Sequence, residues 1–239
     1  MTGQAAVARE PLTTYDALAK RIDHSLVAPE LSEDQVRDGC YQASEYGVAC
    51  AIVRPCDVDV AIRTLRGSGV RVGAVAGFPH GSSTTGAKLY EVRDLVRRGV
   101  AEIDTVINLG KLHSRQFRYL ETELEQIATA CREENVVVKV ILESPGLPLD
   151  LKIIACRIAK RAAVDFVQTC TGFAANPCTA EDLRLLAEKC NPIAKVKAAG
   201  RIRTLEAALE MYNAGADRLG LTRTATILDA WKKQLAAAP

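Results

Sequence analysis

Short apolar runs rich in β-branched residues alternate along the chain with longer segments whose apolar positions recur at helical spacing. This alternation is typical of βαβ units, in which a helix follows each strand of a parallel sheet. The predicted strands cover residues 21–26, 49–53, 70–77, 102–108, 136–142, 166–170, 194–198 and 218–221. Capping residues mark several helix starts, among them Ser32 with Gln35, then Thr179 and Thr204. Other predicted helices begin near residues 57, 85 and 149, one runs through residue 132, and the last ends near residue 235.

Eight such units predict an α/β fold, a single (β/α)8 TIM barrel. A doubly wound open sheet is the alternative, but no G-x-G-x-x-G follows the first strand, which disfavours a dinucleotide-binding fold. The 239 residues have one composition throughout, so we expect one domain over 1–239. Within it we expect residues 1–15 to form a flexible extension and residues 236–239 a frayed tail.

The overall charge points to no polymeric partner. The 31 basic and 29 acidic residues leave a net charge of +2, which favours neither nucleic acid nor a membrane surface. The chain has no apolar run long enough to span a bilayer and no secretory signal at its start, so we expect a cytoplasmic location. The eight cysteines include no C-x-x-C pair, so we expect buried, reduced thiols and neither a metal nor a cofactor.

Charged residues inside apolar strands are the most informative feature of the chain. Asp104, Lys139 and Lys197 each lie within a predicted strand, where helix-covered strands should be apolar. A buried lysine without a counter-charge is costly, so we expect Asp104 to pair with both lysines. A desolvated lysine beside a second cation has a lowered pKa and becomes a nucleophile or a base. An ion-pair network without chemistry remains the alternative.

Six segments together resemble the motifs of the 2-deoxyribose-5-phosphate aldolase family. They are I-D-H-S-L at 22–26, G-F-P-H-G at 77–81, E-I-D-T-V-I-N at 102–108, V-K-V-I-L-E at 138–143, D-F-V-Q-T-C-T-G-F at 165–173 and V-K-A-A-G-R-I-R-T at 196–204. The resemblance implies a class I aldolase, in which a lysine on strand six forms a Schiff base with acetaldehyde or the donor sugar. It also implies that Lys197 lowers the pKa of that lysine, that Asp104 helps in proton transfer, and that Lys139 lies near them.

The chain departs from this family at the reactive lysine itself, whose position is occupied by Gln168. An amide nitrogen is not nucleophilic, so the ordinary aldolase mechanism should fail. Arg54, Arg201 and Arg223 also stand where the family has other residues, and arginines hold phosphate or carboxylate groups well. The alternative for Arg201 and Arg223 is that they are surface residues paired with helix carboxylates. We expect these residues to bind an anionic substrate together with four others: Asp23, Thr171, Gly172 and Gly200. The resemblance further implies a homodimer.

Three functions remain open from the sequence. The first is a divergent lyase acting on a carbonyl-containing anion, with Lys197 or Lys139 as the imine-forming amine and Asp104 moving protons. The second is a non-covalent acid–base enzyme, such as a cyclase, dehydratase, isomerase or acyl transferase, in which Gln168 polarises the substrate. The third is a non-catalytic protein that binds a small molecule.

Overall fold

The structure of the chain, a computed structural model, describes residues 9–237. Its eight parallel strands form a closed barrel in which each strand pairs with the next and β8 returns to β1. The strands are β1 (Ile22–Leu26), β2 (Cys50–Val53), β3 (Arg71–Ala76), β4 (Glu102–Val106), β5 (Val137–Ile141), β6 (Phe166–Gln168), β7 (Lys195–Ala199) and β8 (Arg218–Leu221). The predicted (β/α)8 barrel is therefore confirmed, and the open sheet is excluded.

The helices surround the barrel and connect consecutive strands. They are α1 (Tyr15–Ala19), α2 (Glu33–Glu45), α3 (Val58–Thr64), α4 (Thr85–Arg97), α5 (Leu109–His113), α6 (Phe117–Glu133), α7 (Leu149–Arg161), α8 (Ala180–Cys190), α9 (Leu205–Ala214) and α10 (Thr224–Ala236). Ser32 and Gln35 form the predicted capping box, and Thr179 and Thr204 cap α8 and α9.

The structure differs from the sequence prediction at α1, β4 and β6, and β6 ends at Gln168 where the prediction extended to residue 170. The short helix α1 precedes β1 and was not predicted, because its five residues are too few to show helical periodicity. The predicted strand 102–108 ends at Val106, since the Asn108 side chain accepts a hydrogen bond from the Lys111 amide and caps α5. The chain after β4 therefore forms two helices in place of the single one predicted.

The main apolar core lies between the strands and the helices. In β5, Val138 and Val140 are buried in this core, while Lys139 between them faces the barrel interior. The side chains of a strand alternate between its two faces, so the helix-facing positions are aliphatic while the inward positions are free to carry charge. The barrel interior consequently holds buried charged side chains beside apolar ones.

The described residues before α1 lie against the N-terminal end of the barrel. The Arg9 guanidinium contacts Asp217 at 2.6 Å, and the Tyr212 hydroxyl donates to the Glu10 carbonyl at 2.8 Å. The Trp231 indole N–H donates to the Thr14 carbonyl at 3.1 Å. Residues 1–8 and 238–239, which belong to the predicted extension and tail, lie outside the described part of the chain. Over residues 9–237, no helix combines the length and apolar character needed to cross a bilayer.

Candidate active site

Six buried ionisable side chains meet inside the barrel, and we call them the ion cluster. Its members are Asp23, Glu102, Asp104, Lys139, Lys197 and Arg218. They project inward from β1, β4, β5, β7 and β8. Three are acids and three are bases, so the buried charges balance. Arg71 also contacts Glu102 at 2.7 Å, but its side chain is 45% exposed and its charge is screened by water.

Lys139 lies at the centre of the ion cluster and is fully buried. Its Nζ is 2.6 Å from Asp104, 2.5 Å from Glu102 and 3.4 Å from Asp23. Burial by itself would lower the pKa of this lysine, but the three carboxylates outweigh it and raise the pKa well above its usual value. Lys139 is therefore a permanent ammonium group that holds the carboxylates together.

Lys197 differs from Lys139 because it faces open space. Its Nζ is 2.5 Å from Asp104 and 2.7 Å from Asp23, and the residue lines the cavity above the ion cluster. Asp104 thus lies between the two lysines, with one carboxylate oxygen on each. The predicted pairing of Asp104 with both lysines is present in the structure.

Asp23 and Arg218 complete the ion cluster. The Arg218 guanidinium is 2.5 Å from one oxygen of Asp23 and 3.5 Å from Glu102. Burial would raise the pKa of Asp23, but the positive charges of Lys139, Lys197 and Arg218 lower it far below its usual value. The two carboxylates raise the pKa of Arg218 against the effect of its burial. Asp23 accordingly stays ionised and is a fixed negative charge.

A cavity of about 440 Å³ opens above the ion cluster at the C-terminal ends of the strands, and we call it the mouth cavity. This is the end of a TIM barrel where active sites lie. One wall is apolar, formed by Ile52, Val75 and Ile141. Phe78 and Phe173 meet edge to face at its rim, with ring centres 5.2 Å apart. The opposite side carries positive charge.

Gln168 ends β6 and lines the mouth cavity next to Lys197, with which it is in register across β6 and β7. Its Nε2 donates to the Cys170 carbonyl at 2.7 Å, which fixes the orientation of the amide. The Oε1 atom is buried and has no hydrogen-bond partner among the described residues. A buried acceptor without a partner is costly, and a donor group on a ligand in the mouth cavity would remove that cost.

The loop after β6 is tied to the loop after β5 through a carboxylate. Glu143 accepts hydrogen bonds from the Thr171 amide at 3.1 Å and from the Thr171 hydroxyl at 2.7 Å. Glu143 itself has a left-handed backbone, with φ of 52°. Thr171 and Gly172 line the mouth cavity, so this contact shapes its rim.

The turn after β7 supplies the positive side of the mouth cavity. Gly200 has φ of 106°, and a Cβ atom there would lie only 2.7 Å from the Cys170 sulfur, so the position requires glycine. Arg201 follows with φ of 60°, a left-handed conformation that costs an arginine about 1 kcal/mol. Arg201 and Arg203 line the mouth cavity and have no carboxylate within 4.0 Å in residues 9–237.

Two arginines predicted to bind substrate do not line the mouth cavity. Arg54 contacts Asp57 at 2.6 Å and donates to the carbonyls of Ala28, Pro29 and Leu31. These contacts occupy its guanidinium and fix the loop after β1. Arg223 is exposed at the start of α10, outside the set of residues that line this cavity. The structure does bring together the other predicted residues: Asp23, Asp104, Gln168, Thr171, Gly172, Lys197, Gly200 and Arg201 line the cavity, and Lys139 lies beneath it.

Sequence reasoning missed Glu102 and Arg218. Both are the first residues of their strands, whereas the search for chemistry concentrated on the C-terminal ends. A charged residue at the first position of each predicted strand was the available signal. Glu102, Asp23 and Cys50 also place ligand atoms within 4.8 Å of one another. This trio is a poor metal site, because Lys139 and Arg218 already occupy the carboxylates and burial raises the pKa of the Cys50 thiol well above its usual value.

The fold and the site define a (β/α)8 barrel with a lysine–aspartate centre at the catalytic end of its strands. Deoxyribose-phosphate aldolase of Clostridium kluyveri is 42% identical over 212 residues, which are 89% of this chain and 97% of that protein. The enzyme of the same name from Caldanaerobacter subterraneus subsp. tengcongensis is 39% identical over 218 residues, covering 91% of this chain and 94% of its own. The chain therefore belongs to the deoxyribose-phosphate aldolase family. No protein-family model matches it.

Solved structures agree with this assignment. The aldolase QR15 superposes with a TM-score of 0.87 at 34% identity, covering 92% of this chain and 99% of its own. The deoxyribose phosphate aldolase from Aeropyrum pernix superposes with a TM-score of 0.87 at 30% identity over 93% of this chain and 94% of its own, and is described as a tetramer.

Proposed function

We propose that this protein makes or cleaves a carbon–carbon bond next to the carbonyl of a small anionic compound, with Lys197 as the amine that forms the imine. The observation that carries the proposal is the contrast between the two buried lysines. Lys197 lines the mouth cavity, whereas Lys139 is fully buried beneath it and held by three carboxylates. Of the two candidates from the sequence, Lys197 is the one that a substrate can reach.

Asp104 is the proton carrier in this scheme. It contacts Lys197 at 2.5 Å, so a proton passes from the ammonium group to Asp104 as the nitrogen attacks the carbonyl carbon. Asp104 then gives the proton to the carbonyl oxygen, which yields the carbinolamine, and loss of water gives the imine. The transfer is internal to the ion cluster, so the buried charge stays balanced at each step. Asp23, fixed as a carboxylate, stabilises the cationic imine.

The ion pair makes the first step demanding. Taking the proton from Lys197 breaks its charged contacts with Asp104 at 2.5 Å and with Asp23 at 2.7 Å in a buried site, so this transfer is costly. The developing charge on the substrate oxygen offsets part of this cost, because the same proton ends there. We therefore expect slower imine formation than at a site with a second, uncharged lysine beside Lys197.

The remaining walls of the mouth cavity suggest the substrate class. Arg201 and Arg203 have no internal carboxylate partner in the described chain, and a phosphate or carboxylate group would supply one. A phosphate-bearing substrate also agrees with the names of the relatives. The apolar wall at Ile52 and Val75 suits the carbon chain of the compound. Gln168 has a free amide oxygen for a substrate hydroxyl.

The test is reductive trapping. The protein is incubated with acetaldehyde or deoxyribose 5-phosphate, reduced with borohydride and mapped by mass spectrometry. We expect the adduct on the peptide that contains Lys197, and we expect Lys197→Met to abolish it. Lys233→Met removes an exposed lysine of α10 and serves as the matched control that keeps the adduct.

An adduct that survives Lys197→Met would refute the assignment of the amine. Turnover of a carbonyl substrate without any reducible adduct would show instead that Lys197 and Asp104 act as a non-covalent acid–base pair. If these probes give no adduct and no turnover, that result counts against the proposed lyase.

A further inference from the structure

A second cavity, of about 360 Å³, lies at the opposite end of the barrel from the mouth cavity. We call it the basal pocket and define it by Lys20, Arg21, Phe166, Lys195 and Arg218. Four of these residues are at or next to the start of a strand, so the pocket opens at the N-terminal end of the barrel. TIM-barrel catalysis takes place at the other end. The basal pocket is thus separate from the proposed active site, and ligand binding there is independent of the proposed function.

The lining of the basal pocket carries an excess of positive charge. Four of its side chains are cationic, and two, Asp16 and Asp217, are acidic. Asp217 is already used, because one of its oxygens contacts Arg9 at 2.6 Å and the other accepts from the Val196 amide at 2.9 Å. Asp16 is exposed in the first turn of α1. Little negative charge is left to balance the lysines and arginines.

Three of the cations have no acidic partner. Within residues 9–237, Lys20, Arg21 and Lys195 have no carboxylate closer than 4.0 Å. The Nε of Arg21 is moreover buried without a hydrogen-bond acceptor in the described chain. A buried guanidinium nitrogen without an acceptor is costly, and an oxyanion in the pocket removes that cost.

Three of the four cations, Arg21, Lys195 and Arg218, lie against aromatic rings. The Arg21 guanidinium lies 5.0 Å from the centre of the Tyr212 ring. Lys195 and Arg218 both lie over the Phe166 ring, at 5.9 and 5.6 Å from its centre. Cation–π contacts of this kind hold the charged groups in place without neutralising them. These three side chains are therefore partly ordered before a ligand binds, which lowers the entropic cost of binding.

We propose that the basal pocket binds a compact multivalent oxyanion, such as phosphate, between Lys20, Arg21 and Lys195. Arg218 forms the inner wall of the pocket and is also a member of the ion cluster, through its contact with Asp23 at 2.5 Å. The bound anion therefore lies next to Arg218, the member of the ion cluster nearest the N-terminal end of the barrel.

The experiment measures thermal unfolding in increasing phosphate, with sodium chloride at matched ionic strength as the reference. We expect phosphate, but not chloride, to raise the melting temperature in a saturable way, because the ligand binds only the folded state. Lys195→Gln should weaken phosphate binding about tenfold, the effect of losing one charge-assisted hydrogen bond. Lys20→Gln, at an exposed helix end, should weaken it in the same direction if Lys195→Gln folds poorly.

Arg201→Gln removes a charge from the mouth cavity and separates the two anion sites. The basal component of the phosphate effect should persist in this variant and weaken about tenfold when Lys195→Gln is added. An equal rise in chloride would overturn the inference, since general screening would then explain it. So would phosphate stabilisation that Arg201→Gln abolishes and the two basal variants leave intact.

Discussion

Gln168→Lys places an amine where family resemblance implies one, and the structure gives its expected pKa. Residue 168 is in register with Lys197 on the neighbouring strand, so the two ammonium groups would lie about 5 Å apart. At an effective dielectric constant of about 20, two such charges repel by about 3 kcal/mol, or about 2.4 pKa units. The ion cluster already balances its three acids with three bases and offers the new charge no partner. From a reference value of about 10.4, the introduced amine should have a pKa near 8 or below.

The assay is the pH dependence of borohydride trapping with acetaldehyde. In Gln168→Lys the adduct should move from the Lys197 peptide to the peptide containing residue 168, and its rate should rise with pH with a midpoint near the expected pKa of about 8. The combined variant Gln168→Lys with Lys197→Met removes the repelling charge, so the same profile should shift upward by about two units. Cleavage of deoxyribose 5-phosphate should appear in Gln168→Lys and increase over the same pH range.

Two results would contradict this reasoning. A profile for Gln168→Lys that rises only above pH 10 would mean that the ion cluster absorbs the extra charge and is not balanced as described. An adduct that stays on Lys197 would mean that the introduced amine does not face the mouth cavity.

Three further outcomes follow from the same contacts. Lys139→Met should lower the free energy of unfolding by about 3–5 kcal/mol in urea titrations, because it leaves Asp104 and Glu102 buried without their shared cation; a loss below about 1 kcal/mol would contradict this. His24 is buried against Thr224, and burial lowers its pKa to about 4, so its NMR titration should have a midpoint there. Because the unfolded chain takes up this proton near pH 6.5, stability should fall by about 3 kcal/mol between pH 6.5 and 4, and His24→Asn should lose that dependence. Arg201→Gly should change the free energy of unfolding by less than about 1 kcal/mol, because relief of the left-handed strain offsets the greater backbone freedom of glycine. The same variant should weaken phosphate binding at the mouth cavity about tenfold, because it removes a charged hydrogen-bond donor.

The sequence predicted the strands well because most are short apolar runs bounded by polar or glycine-containing turns. The strand predicted at 218–221 matches β8, and the strand at 136–142 exceeds β5 by one residue at each end. The capping residues at Ser32, Thr179 and Thr204 act through neighbouring amides, so local sequence was enough to identify them. Helix α1 was missed because a five-residue helix carries no periodic signal.

The centre of the site was also predictable, since alternation along β4, β5 and β7 places Asp104, Lys139 and Lys197 on the inner face. The pairing of these charges with Arg218 and Glu102 could not be predicted from the sequence. Only the closed barrel brings the first residue of β8 to the first strand, where Arg218 meets Asp23. The sequence equally could not show that Arg54 is held by loop carbonyls, because that depends on how the chain after β1 folds back.

The equal number of buried acids and bases has a consequence for the routes by which such a site changes. Loss of any member of the ion cluster leaves an opposite charge buried without its partner, so substitution of any one of those six residues is destabilising. A change from lysine to glutamine at position 168 requires one nucleotide change and leaves no buried charge without a partner. A barrel of this kind therefore tolerates a change at residue 168 more readily than a change within the ion cluster, and such a change leaves the buried charges of the interior in place.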